Sequence, residues 1–157
     1  MRIAYLGVLD ISRGSGVLKK VITQIKTWIS MGHETKLFVL GPENKVWEGL
    51  KLSSVPYYNT IYSNMVKRFF SWRDLLAAIN KWQPDVVYYR SGIYYPGFKK
   101  LANRFPVIAE INTLDLDEYK LSYSHAKCFY HRVTRKMLFA PCAGLVCVTS
   151  ELANHYS

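Results

Sequence analysis

"RIAYLGVLDISRGSGVLKKVITQIKTWISMGHETKLFVL", residues 2 to 40, decides how the rest of the chain is read. Arg2 to Val8 is largely apolar, as a strand covered on both faces requires. The loop "LDISRGSG" follows, and then Val17, Val21, Ile25, Trp28 and Ile29 recur at helical spacing. Gly32 stops that helix. Lys36 to Leu40 is a second apolar strand, closed by Gly41-Pro42. Strand, helix and strand follow one another at the length that a parallel crossover needs, so the chain opens with a βαβ unit.

Outward from that unit, Lys51 to Val55 reads as a short third strand, and "PYYNTIYSNMVKRFF" (56 to 70), aromatic and basic without a period, as a mobile loop. Ser71 with Asp74 three residues on reads as a capping box. Trp72, Leu75, Leu76, Ile79 and Trp82 would form the apolar face of the helix it starts. Asp85 to Tyr89 is the next strand, and a short helix over Gly97 to Arg104 leads to another at Val107 to Ile111. Tyr119, Tyr123, Ala126, Tyr130, Val133 and Met137 alternate by four and three, which predicts one helix through much of Tyr119 to Phe139 with those residues as its apolar stripe. Ala143 to Val148 is a last strand, and Ser150 caps a helix that has barely begun at residue 157. The order predicts an α/β class: a Rossmann-like, doubly wound, mostly parallel sheet with helices on both faces. The short last helix is read as the mark of a fragment.

Composition narrows the classes. Half of the 157 residues are apolar and 15% aromatic, which excludes a disordered chain. No apolar run approaches the roughly 18 residues of a membrane span, and "MRIAYLGVLD" lacks the long apolar core of a signal peptide. Cys128, Cys142 and Cys147 are odd in number and fit no zinc spacing, so they read as reduced thiols of a cytosolic protein. With 21 Lys+Arg against 11 Asp+Glu, the net charge of +10 favours an anionic partner without choosing among nucleic acid, acidic membrane and phosphorylated small molecules.

In such sheets ligands sit outside the carboxyl ends of the strands. Three stretches fall there. Gly14, Ser15 and Gly16 would let a backbone approach a phosphate at a helix start. They form neither a P-loop nor a full dinucleotide fingerprint, and a plain turn capped by Ser15 stays open as the alternative. Arg90 ends a strand, where a guanidinium could hold a phosphate or carboxylate, or pair with Glu110 as mere framework. The third stretch, "PVIAEINTLDLDEYK" (106 to 120), gathers acid at the end of an apolar strand. Glu110 is too costly to bury there unpaired. Asp115 and Asp117 read as solvated acids suited to a helix N-terminus. The histidines make no metal or triad pattern, and no metal site is expected. Lys120, Lys127, His131, Arg132, Arg135 and Lys136 are expected on the outward side of the long helix. With Lys67, Arg68, Phe69, Phe70 and Trp72, they leave an anionic membrane surface open as a partner.

Several pieces in order resemble the N-terminal domain of GT-B-fold, family-4 (group 1) retaining glycosyltransferases. "GSGVLKKVITQIKTWISMGHETKLFVL" is similar to that family's glycine loop, helix and second strand. "PDVVYYRSG" is similar to its PD-[VI]-[VI]-Y-x-R strand, "PVIAEINTLDLDEY" to its E-[VI]-N-x-P-L-x-x-E segment, and "AGLVCVTSELANHY" to its strand and helix ending V-S-x-x-L-x-x-x-Y. Leu114 stands in place of a common proline, and Cys142-Ala143-Gly144 in place of Ala-Asp. The resemblance implies that residues 1–157 are the acceptor-side half of an enzyme moving sugar from a nucleotide-sugar donor (UDP- or GDP-sugar) to a glycan, lipid-linked or small-molecule acceptor. The C-terminal domain that binds the donor, with its E-x7-E motif, would then be absent from this chain, which would be inactive alone and hold no cofactor of its own. It further implies a cytoplasmic protein, peripheral on a membrane where the acceptor is lipid-linked, with no nucleic acid as partner. Glu110 becomes the catalytic candidate; Gly14, Ser15, Gly16, Arg90, Asn112 and Glu118 become substrate-binding candidates. A stand-alone Rossmann-type nucleotide-binding or regulatory domain remains the competing reading, and a charge-driven nucleic-acid module a weaker third.

Overall fold

Arg2–Val8 forms strand β1, whose middle is buried as a doubly covered strand must be. The computed structural model describes residues 1–9, 16–42, 54–122 and 125–156. Gly14 and Ser15 lie outside them, as does most of the third strand expected at Lys51 to Val55. Helix α1, Gly16–Ser30, buries Leu18, Val21 and Ile25, one side of three helical turns. It runs out at Gly32, whose φ of 84° suits a residue without a Cβ. Strand β2, Glu34–Pro42, then lies parallel to β1 in register Arg2↔Glu34 through Val8↔Leu40.

The segment expected to be a loop is ordered. Tyr57–Tyr62 is strand β3, parallel to β2 with Leu37 opposite Tyr57. Its aromatic residues suit a half-covered edge strand, but mixed with polar ones they give no clean alternation for a sequence reading to find. Helix α2 is Met65–Trp82, longer than the sequence suggested. Its N-cap is Asn64, whose side chain accepts the Lys67 N–H at 2.9 Å. Ser71 lies inside the helix instead, and its hydroxyl donates to the Ile61 carbonyl at 2.6 Å. Trp72, Leu75 and Ile79 are fully buried, which corrects the placing of Trp72 on an outward patch. Gln83 closes the helix in the left-handed region, donating its N–H to Ile79.

Strand β4 is Val86–Arg90, helix α3 Phe98–Arg104 and strand β5 Val107–Ile111. The long helix expected from Tyr119 is two: α4, Asp115–Ser122, and α5, His125–Phe139. Strand β6, Gly144–Cys147, pairs parallel with β5, and α6 is Ser150–Tyr156. The strand order is β3-β2-β1-β4-β5-β6 in one all-parallel sheet, the Rossmann order.

By internal contacts the chain divides into Met1–Val87 and Tyr88–Ser157. The first unit centres on Tyr5, Leu6, Phe38, Trp72, Leu75 and Ile79, all inaccessible to solvent. In the second, the tilted rings of Tyr89 and Phe98 meet with centres 4.9 Å apart, both fully buried. All three cysteines are free and half-buried, and burial pushes the Cys142 thiol up to about 11. Among the described residues no helix is long and apolar enough to cross a membrane.

Candidate functional site

Parallel strands carry their C-terminal residues to the same edge of a sheet. In the second unit this places Arg90, the last residue of β4, beside Glu110 near the end of β5, with the Ser91 N–H donating to the Glu110 carbonyl at 3.2 Å. One guanidinium nitrogen, Arg90 Nη1, donates to Glu110 Oε1 at 2.9 Å and to Asn112 Oδ1 at 3.0 Å. Glu110 is 1% exposed. An ionised carboxylate at that depth requires a cation and hydrogen bonds, and Arg90 supplies both. The structure thus brings three of the sequence candidates, Arg90, Glu110 and Asn112, onto one edge. It also forms the Arg90–Glu110 pair that a purely structural role would need.

Glu118 is held nearby in sequence by the Thr113 hydroxyl, which donates to its carboxylate. The N–H groups of Asp117 and Glu118 both return to the Leu114 carbonyl at 3.0 Å, the first turn of α4. Gly16, the first residue of α1, belongs to the other unit. Among the described residues, a Cβ there would meet nothing within 4 Å.

The same segment carries a second polar cluster that the sequence reading missed. Asp115, expected in solvent, is buried. Its Oδ2 takes His131 Nε2 at 2.7 Å and Arg135 Nε at 2.8 Å; its Oδ1 takes the Tyr156 hydroxyl at 2.6 Å and the Leu116 N–H at 2.9 Å. Burial opposes the charge of Asp115, but the hydrogen bonds from His131, Arg135 and Tyr156, with the Arg135 charge, outweigh it and hold the carboxyl well below its usual range. The carboxylate therefore has no proton to give, and His131 Nε2 is the donor. Arg135 also lies over the Tyr156 and Phe139 rings, 4.7 and 5.4 Å from their centres. The cluster ties α4, α5 and α6 together.

That cluster turns α5 around. His131, Thr134 and Leu138 are its buried residues, while Val133 and Met137, expected in the core, are exposed. The inward period 131, 134, 135, 138 is present in the sequence, but three of its four residues are polar, so an apolar template finds the other side. Among the described residues no group of three or more His, Cys, Asp or Glu is placed to hold a metal ion.

No protein-family model and no curated protein matches the chain. Solved structures do. An alpha-glucosyltransferase in complex with UDP and a 13-mer DNA containing a central A:G mismatch superposes with a TM-score of 0.55 at 14% identity, over 96% of this chain and 37% of that one. An alpha-glucosyltransferase in complex with UDP and a 13-mer DNA containing a HMU base gives 0.51 at 15% identity, over 94% and 41%. MurG of Acinetobacter baumannii gives 0.44 at 16% identity, over 69% and 34%, too low a score to argue from. The chain spans about two fifths of the length of the alpha-glucosyltransferases it matches. At these identities the likeness is one of fold: the chain has the Rossmann-like α/β architecture found in GT-B glycosyltransferases.

Proposed function

We propose that the chain is the N-terminal, acceptor-side half of a nucleotide-sugar-dependent glycosyltransferase of the family-4 kind, with the donor nucleotide held by a further α/β domain. The observation that carries this reading is the Arg90–Glu110–Asn112 cluster at the carboxyl ends of β4 and β5, where open α/β sheets take their ligands. The order of sequence motifs and the shared fold support it.

The chemistry fits an uncharged, hydroxyl-rich acceptor. Arg90 fixes Glu110 as an oriented carboxylate, which accepts from an acceptor hydroxyl, and Asn112 offers an amide beside it. Transfer makes a bond from the acceptor oxygen to the sugar's anomeric carbon and breaks the bond from that carbon to the nucleotide's phosphate oxygen. The nucleoside diphosphate leaves, and the proton of the hydroxyl passes to its departing phosphate oxygen or to solvent. Glu118, braced by Thr113, steadies the helix that follows, and the Gly14–Gly16 loop approaches donor phosphates or acceptor.

The test uses the complete gene product with UDP- and GDP-sugars. Glu110→Gln keeps shape and should lower kcat by about 100-fold with an unchanged melting curve, the scale of losing one positioned hydrogen-bonding group at a reacting centre. Residues 1–157 alone should release no nucleotide, because a two-substrate reaction needs both substrates held together. Wild-type rates in Glu110→Gln, with Arg90→Ala and Glu110→Ala only destabilised, would make the cluster framework. Turnover by the isolated chain would overturn the half-enzyme reading.

A further inference from the structure

Helix α5, "HAKCFYHRVTRKMLF", contains no acidic residue. Its inward side is settled by the Asp115 cluster, which takes His131 and Arg135 out of any outward-facing role. What remains on the outside is a line of large apolar side chains: Phe129 is 70% exposed, Val133 61% and Met137 47%. They stand at i, i+4 and i+8, one stripe along three turns of a helix of fifteen residues, about 22 Å long. Arg132 and Lys136 are also exposed and lie one step to the side of each stripe residue. Single exposed apolar residues are ordinary, but an aligned series flanked by cations on one helix marks a surface that something covers.

The charge decides what covers it. A second copy laid face to face would bring Arg132 and Lys136 of both chains together, with no carboxylate on either helix to answer them. An anionic bilayer answers both features: the headgroup phosphates meet the cations, and the acyl boundary takes the apolar stripe. We propose that the outward face of α5 docks this chain on an anionic lipid surface, with Phe129, Val133 and Met137 entering the acyl boundary and Arg132 and Lys136 on lipid phosphates. This inference stands independently of the glycosyl-transfer reading, and its test needs no enzymatic activity.

The 157-residue chain is floated with vesicles of phosphatidylcholine, with and without phosphatidylglycerol. Binding should require the anionic lipid and weaken as salt shortens the Debye length. Arg132→Ser with Lys136→Ser should cost about 30-fold in affinity, roughly fivefold for each charge near the surface. Phe129→Ser with Met137→Ser should cost at least about tenfold by removing the inserted area. Circular dichroism and melting should be unchanged in both variants, since every substituted side chain is exposed. The proposal is overturned by absent or lipid-indifferent binding, and by full binding of either α5 variant. Loss on Val66→Ser with Phe70→Ser, the two most exposed of the described apolar residues of α2, while the α5 variants still bind, would overturn it too. A dimer in solution that Phe129→Ser abolishes, or duplex DNA binding lost in the α5 variants without any vesicle binding, would assign the face to another partner and overturn it as well.

Discussion

Glu110 and Asp115 are both buried carboxylates, set on either side of one short connection between β5 and α4, yet they are held in different ways. Glu110 sits on a strand and meets Arg90 from the neighbouring strand, a contact that the sheet register creates. Asp115 sits at a helix start and gathers His131 and Arg135 from one helix and Tyr156 from another. The first cluster stands at the carboxyl ends of β4 and β5; the second ties α4, α5 and α6 together. The difference teaches that a carboxylate's place in the backbone, rather than its depth, separates a candidate binding group from a fastening.

The largest test of that contrast is Asp115→Ala. It leaves His131, 1% exposed, and Arg135 facing an emptied centre, and should cost about 3–5 kcal/mol in a urea melt, as breaking a buried pair does. If the cost is under about 1 kcal/mol, the usual effect of a surface change, Asp115 is no fastening and the comparison collapses. Glu110→Ala should cost less, about 2–3 kcal/mol, because Arg90 at 18% exposure reaches water and keeps Asn112. Equal or greater loss at Glu110 would make the strand-edge cluster the main tie and weaken its assignment as a binding group.

Acid sharpens the contrast through Asp115→Asn, which should cost about 2 kcal/mol at neutral pH by removing charge-assisted bonds. The folded-state pKa of Asp115 lies below its unfolded value, so its stabilisation is complete above about pH 4 and is lost as pH falls through the folded value. The wild-type lead over Asp115→Asn should therefore shrink toward zero below about pH 4 in melts across pH. A constant lead would show that the stabilisation does not come from the ionised form. Tyr156→Phe is the smallest change, about 1 kcal/mol for one hydrogen bond. Hydrogen exchange should then quicken in α6 while β5 stays protected; slowed or unchanged α6 exchange would remove Tyr156 from the cluster.

Strands β1, β2, β4, β5 and β6 were legible because each carries a continuous apolar run. Helix α1 was legible for a similar reason: Val21 and Ile25 are both apolar and both inward. The Arg90–Glu110 pairing was foreseen as an alternative, since two polar groups ending neighbouring buried strands have few other partners. Strand β3 was lost because its aromatic and polar residues, half-covered at an edge, give no clean alternation. The start of α2 was misplaced because Ser71 and Asn64 both have capping side chains, and only the backbone shows which one stands at a free helix end.

By itself the sequence determined the α/β class, the order of β1, β2, β4, β5 and β6 along the chain, and the placing of Arg90 and of Glu110 with Asn112 at the ends of two strands. These follow from apolar runs and turn residues, which act locally. Only the tertiary structure decided that Asp115 turns inward, that His131 and Arg135 follow it, and that Phe129, Val133 and Met137 consequently face out. The physical reason is that a buried polar cluster is stable only when all its members are brought together. Those members come from Asp115, the middle of α5 and Tyr156, and nothing in the local pattern of any one segment records the presence of the others.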